Sequence, residues 1–182
     1  MKKVIALIAS AAMIIASAAC GEKPHTPSEQ EKPVEQDKVA FAEGADISWV
    51  TEMENDGVKF YNASGSETEC TALMKEIGFD AIRLRVWVDP EEGWCGKEDV
   101  IAKAKRAQAL GMRLMIDFHY SDYWADPGKQ NPPAAWKSHD LNQLTAAVRE
   151  HTKDVLKALK DNGVNVEWVQ IGNEVNNGML WP

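Results

Sequence analysis

From residue 44 onward the chain switches repeatedly between two hydrophobic periods. Ala81 to Val88 alternates strictly, with Ile82, Leu84 and Val86 on one face and Arg83, Arg85 and Trp87 on the other. A period of two marks a strand. Gly44 to Ser48, Met112 to His119 and Glu167 to Gly172 read as three further strands. Between them the period lengthens to that of a helix. Leu73, Met74 and Ile77 lie at helical spacing, preceded by Ser66-Glu67-Thr68-Glu69, which has the form of a capping box, and followed by Gly78. Val100, Ile101, Ala104, Ala107 and Leu110 form a second stripe, closed by Gly111. Asp140 with Gln143 is placed to cap a third helix. Its stripe is Leu141, Leu144, Val148, Val155, Leu156 and Leu159, and Gly163 ends it.

The predicted order is β-α-β-α-β-α-β with no hairpin signal, which implies a parallel sheet with right-handed crossovers. Connections after strands are long (49–65, 89–97 and 120–139), whereas those after helices are short. Long loops at the C-terminal ends of strands are where (β/α)₈ barrels build their sites. The expected fold class is therefore α/β, a (β/α)₈ barrel of which four strands and three helices are present. An open doubly wound sheet fits the alternation too, but no Gly-rich phosphate loop follows the first strand.

The segment before residue 44 has a different character. Lys2 and Lys3 precede an apolar run from Val4 to Ala19, the pattern of an export signal over 1–19. Ser17-Ala18-Ala19-Cys20 looks like a bacterial lipoprotein signal, in which Cys20 carries lipid; an ordinary secretory signal cut nearby is the alternative. Residues 20–43 are rich in Glu, Lys, Pro, Gln and Ser and read as a disordered tether. Export to a bacterial outer membrane or cell surface is the expected location. There Cys70 and Cys95, an even pair, are free to form a disulfide; two buried free thiols are the alternative. The formal net charge of −8 argues against a nucleic-acid partner.

The chemistry lies on the strand face opposite the aliphatic residues. Asp46, Arg83, Arg85, Asp117, His119 and Glu174 are ionisable groups on that face, the lumen of a barrel. Charges there are costly unless paired, so an interlocked network is expected, either to hold a catalytic carboxyl or only to fill the lumen. Glu174 follows Asn173 at the C-terminal tip of the last strand, where barrel enzymes carry catalytic groups. Trp49, Trp87, Trp94, Tyr120, Tyr123, Trp124, Trp136 and Trp181 lie at or just past strand ends. Indole rings stack on sugar faces, although any one of them could equally pack a long loop.

Five ordered motifs from about residue 44 to 182 resemble glycoside hydrolase family 53, the endo-β-1,4-galactanases. They are Gly44-Ala45-Asp46-Ile47-Ser48 with Phe60-Tyr61-Asn62-Ala63, Ile82 to Trp87, Asp117 to Asp122, Trp124-Ala125-Asp126-Pro127, and Gly172-Asn173-Glu174. The resemblance implies a (β/α)₈ barrel that cleaves β-1,4-galactan internally with retention. It implies Glu174 as acid/base, Asn173 at the sugar 2-hydroxyl, and Arg85 and His119 as supports. Asp46, Trp87 and Trp124 join them as substrate-binding candidates. The nucleophile belongs to the family's seventh strand, and the sequence stops at Pro182, just past the fourth, so a fragment lacking it is expected. No cofactor or metal is implied for these residues; any calcium would belong to loops beyond them. The implied partners are the galactan and, through the lipid, a membrane, with a monomer at full length. Related clan endoglycanases (mannanase, cellulase) and a non-catalytic glycan-binding surface lipoprotein are the rival readings.

Overall fold

The structure, a computed structural model, describes residues 41–181. The expected signal, Cys20 and nearly all of the tether lie outside the described residues. Four strands, β1 (Gly44–Asp46), β2 (Ala81–Val86), β3 (Arg113–Phe118) and β4 (Trp168–Ile171), form one sheet in sequence order, every neighbour parallel. Helices α1 (Val50–Asn55), α2 (Cys70–Glu76), α3 (Lys97–Ala109) and α4 (Leu141–Asp161) fill the crossovers, with a 3₁₀ turn at Ala134–Trp136. This is the α/β class expected.

The outer face of the sheet is the core. Ile82, Leu84, Val86, Leu114, Ile116 and Phe118 pack against Val100, Ile101, Ala104 and Ala107 of α3 and Val155 and Leu159 of α4. Each such side chain contributes about 1.5–3 kcal/mol by leaving water. The register then dictates the inner face. Asp46 pairs with Arg83, and Arg85 with Asp117, which in turn pairs with Gln170. Aligned positions of parallel strands point the same way, so these polar groups meet.

Three expectations change. A fourth helix, α1, occupies part of the loop predicted over 49–65; its six residues are too few to show a period. Ser66 is not a cap: it belongs to a turn in which Asn62 Oδ1 accepts from Ser64 N and Ser66 N, and Glu69 caps α2 instead, accepting from Ala72 N at 2.8 Å. Leu141 is 79% exposed and lies off the α4 stripe. The predicted capping box at Asp140 and Gln143 is present in both directions. Gly78, Gly111 and Gly163 follow their helices at positive φ.

Candidate active site

The inner-face network centres on Arg83. Its Nη1 reaches Asp46 Oδ2 at 2.5 Å, and its Nη2 reaches Asp117 Oδ2 at 2.6 Å and Asn173 Oδ1 at 3.0 Å. Gln170 Oε1 accepts from the same guanidinium at 3.2–3.3 Å. One cation therefore ties all four strands together at their C-terminal ends. Burial alone would push Asp46 up; hydrogen bonds from Ser48 and the pair with Arg83 outweigh it and hold its carboxyl below the usual range.

His119 continues the network. Its Nδ1 accepts from Ala125 N at 3.1 Å and from Trp87 Nε1 at 3.4 Å, which places the ring proton on Nε2. Nε2 faces Asp117 Oδ2 at 2.9 Å, both side chains being fully buried. Trp124 stacks on the imidazole, with centroids 5.2 Å apart.

Arg85 is only 1% exposed and lies beneath an aromatic cage. Its guanidinium carbon is 4.0 Å from the Trp49 ring, 4.4 Å from Trp124 and 5.1 Å from Trp87. Ring faces attract a cation, and more so when water is excluded. Its Nε and Nη2, and Asp117 Oδ1, are buried without a hydrogen-bond partner among the described residues. Arg85 N donates to Ser48 Oγ at 2.9 Å, which ties β2 to the segment leading into α1.

Glu174 stands apart from this network. It is exposed, and its carboxylate makes no hydrogen bond or ion pair among the described residues. Its backbone is left-handed, at φ 51°. Gly172, just before Asn173, is also at positive φ, and a Cβ there would lie 2.5 Å from Val175 Cγ1. The strand tip is a tight reversal that only glycine fits at that position.

The aromatic residues separate into two groups. Trp49, Trp87, Trp94 and Tyr123 line an open cleft of about 500 Å³ together with Glu52, Asp89, Glu91, Glu92 and Asp122. Trp49, Trp124 and Tyr123 are 37%, 39% and 61% exposed, so their faces are available to a ligand. Tyr120 and Trp136 pack internally, the Tyr120 hydroxyl bonding Thr152 Oγ1 at 2.8 Å. Trp181 bonds the carbonyl of Gly178.

Cys70 and Cys95 are free thiols, so the expected disulfide is not formed and the alternative holds. The reason is orientation. Cys95 Sγ donates to Ser48 O at 3.4 Å and lies 3.9 Å from Lys103 Nζ. Cys70 lines a small cavity with Ile47, Val50, Met53 and Phe60. Burial, aided by the Glu69 and Glu54 carboxylates, pushes the Cys70 thiol up to about 11. Among the described residues no cluster of three or more His, Cys, Asp or Glu is placed to hold a metal ion.

The predicted residues are thus largely brought together. Asp46 and Asn173 meet on Arg83, while Arg85, Trp87, His119 and Trp124 form one aromatic and cationic stack beside them. Sequence reasoning placed Arg83 and Asp117 in the inner-face network but did not count them among the substrate-binding candidates. It missed Gln130, for which the irregular loop offers no periodic signal.

The model of a family described as glycosyl hydrolase family 53 matches residues 42–182. A probable arabinogalactan endo-β-1,4-galactanase A from Neosartorya fischeri is 40% identical, covering 76% of this chain and 39% of the relative. An endo-β-1,4-galactanase from Bacillus subtilis is 39% identical, covering 81% of this chain and 36% of the relative. In a solved structure of fungal β-1,4-galactanases, the match has a TM-score of 0.74 at 42% identity, covering 76% of this chain and 42% of that one. The chain spans about two fifths of the length of the curated relatives it matches.

Proposed function

The chain belongs to glycosyl hydrolase family 53, and from that premise we propose that the whole protein is an endo-acting glycosidase that cleaves β-1,4-galactan with retention. Glu174 is the acid/base. It first protonates the glycosidic oxygen as the bond breaks, then, as carboxylate, takes a proton from the water that releases the sugar. The observation that carries this assignment is the contrast among the inner-face carboxyls. Asp46 and Asp117 are each locked onto Arg83, and Asp117 faces His119 as well. A carboxylate held in such charge-assisted bonds is not free to turn toward a substrate oxygen. Glu174 has no side-chain partner among the described residues and is free to reach substrate.

The other residues have supporting roles in this reading. Asn173 is held by Arg83 through Oδ1 and by Ala125 O through Nδ2 at 2.7 Å, which leaves one amide proton for a sugar hydroxyl. Trp49, Trp124 and Tyr123 offer flat faces to the pyranose rings, and Trp87 and His119 hold Trp124. Arg85, a buried cation whose Nε and Nη2 have no partner among the described residues, stabilises negative charge at the reacting centre. The second carboxylate of a retaining pair, about 5–5.5 Å from the first, is the nucleophile and comes from a later strand.

Glu174→Gln in the whole enzyme should lower galactan turnover by about 10²–10⁴-fold, the usual contribution of a general acid/base. Polymer binding, measured by affinity electrophoresis, should change little because the aromatic platforms remain. Undiminished turnover in the Gln variant, or a preference for mannan or cellulose over galactan, would overturn the reading. We also propose that Cys20 carries lipid and that 20–43 tether the enzyme to a membrane surface. Mass spectrometry of the mature N-terminus should find a diacylated cysteine; an unmodified terminus beyond residue 20 would exclude it.

A further inference from the structure

We propose that Gln130 is a positioning residue for the Glu174 carboxyl, an inference that rests on the acid/base reading of Glu174. Gln130 comes from the loop between β3 and α4 and is 2% exposed. Its Nε2 donates to two main-chain carbonyls, Asp126 O at 3.0 Å and Asn173 O at 2.8 Å. The first acceptor lies in its own loop. The second lies across the site, in the peptide group that joins Asn173 to Glu174. Fixing that carbonyl fixes the plane of the peptide, and with it the direction in which the Glu174 side chain leaves the backbone.

The peptide needs such a restraint. Glu174 is held at φ 51°, in the left-handed region that is costly for a non-glycine residue. The loop side of the clamp is stiff. Asp126 and Lys129 exchange two backbone hydrogen bonds of 2.9 and 3.0 Å, and Asp126 Oδ1 accepts from Gly128 N at 2.8 Å. Asn173 Nδ2 also joins the strand tip to the loop at Ala125 O, and a bridge pairs Gln130 with Trp181 further along the chain. Gln130 is the side chain through which the loop grips the main chain beside the acid. Its amide is too deeply buried to meet a sugar, so it acts through Glu174 rather than on substrate.

The test separates orientation of the acid from general stability. Gln130→Met keeps length and packing but removes the donor; Gln130→Glu keeps length and replaces the donor with an acceptor. Each is assayed in the whole enzyme on β-1,4-galactan and on 2,4-dinitrophenyl β-galactobioside. The dinitrophenolate leaves without protonation, so kcat/KM on that glycoside does not depend on the acid. Both variants should lose about 10–100-fold in kcat/KM on polymer, the scale of a misplaced catalytic group. They should lose under about 3-fold on the activated glycoside, since that reaction draws nothing from general acid catalysis. Equal losses on the two substrates, or no loss on polymer, would overturn the inference. If the Met variant fails to fold, the Glu variant is read by the same criterion. Glu174→Gln is the control: selective loss on polymer upholds the acid/base reading on its own, and unselective loss there discards that reading before Gln130 is judged.

Discussion

Lys103 is 1% exposed inside a small domain, and its partners show why it is tolerated there. Its Nζ donates to Asp99 Oδ2 at 2.6 Å and to Ser48 O at 2.7 Å. Asp99 Oδ2 also accepts from Cys95 N at 2.7 Å. The lysine thus joins α3 to the two loops that carry Trp49 and Trp94. Removing one member of a buried pair strands the other, so Lys103→Met should destabilise by about 3–5 kcal/mol. Urea unfolding followed by tryptophan fluorescence measures this, and a loss below about 1 kcal/mol, the scale of an exposed pair, would refute it. Adding Asp99→Leu should recover part of the loss, because the stranded carboxylate is then gone. Recovery will be partial, since Cys95 N then lacks its acceptor.

At the scale of elements, legibility followed periodicity and local chemistry. Strand β2 was plain because its aliphatic and arginine positions alternate without a break, and the register then fixes which arginine meets which acid. The α4 cap was plain because Asp140 and Gln143 satisfy each other within one turn. Helix α1 was not, because six residues carry no periodic pattern. The start of α2 was misplaced because the Asn62 turn claims Ser66, and Glu69, read as the far end of the box, is itself the cap. Strand β4 shows a different limit. Val169 and Ile171 alternate as a buried face would, yet they are 40% and 53% exposed and neither joins the buried core. The site was legible wherever a residue lay on a strand. Gln130, Ser48 and the thiol orientations depend on loop paths, which no hydrophobic period encodes. The disulfide expectation failed for that reason: both cysteines lie near the same strand ends but turn to different neighbours.

Across the whole molecule, the titrating groups point to one direction of pH dependence. Asp46 and Glu69 are held below their ordinary values: burial raises each, but hydrogen bonds and arginine neighbours outweigh it. Glu167 is lowered mainly by its hydrogen bonds with Arg113. A carboxyl depressed in the folded state stabilises above its unfolded value and loses that contribution as pH falls through the folded one. These three therefore weaken the fold below about pH 4. His151 adds an earlier step. It sits edge-on to Phe118, Tyr120 and Trp136, with centroids 5.8–6.3 Å away, and burial lowers its basicity. The unfolded chain binds this proton more readily, so the histidine contribution is present above about pH 6.5 and is lost as pH falls from there. The net charge of −8 works the other way, because self-repulsion shrinks as the pH approaches the sequence pI of about 5.0. That effect is spread over the surface, whereas the histidine step belongs to one ring. Urea midpoints at pH 7, 5.5, 4 and 3 should fall in two stages, the upper one small and the lower one steep. His151→Phe keeps the aromatic packing and removes the proton, so it should abolish the upper stage and leave the lower intact. A midpoint flat from pH 7 to 3, or an upper stage that persists in the Phe variant, would show that the groups named here do not govern acid stability.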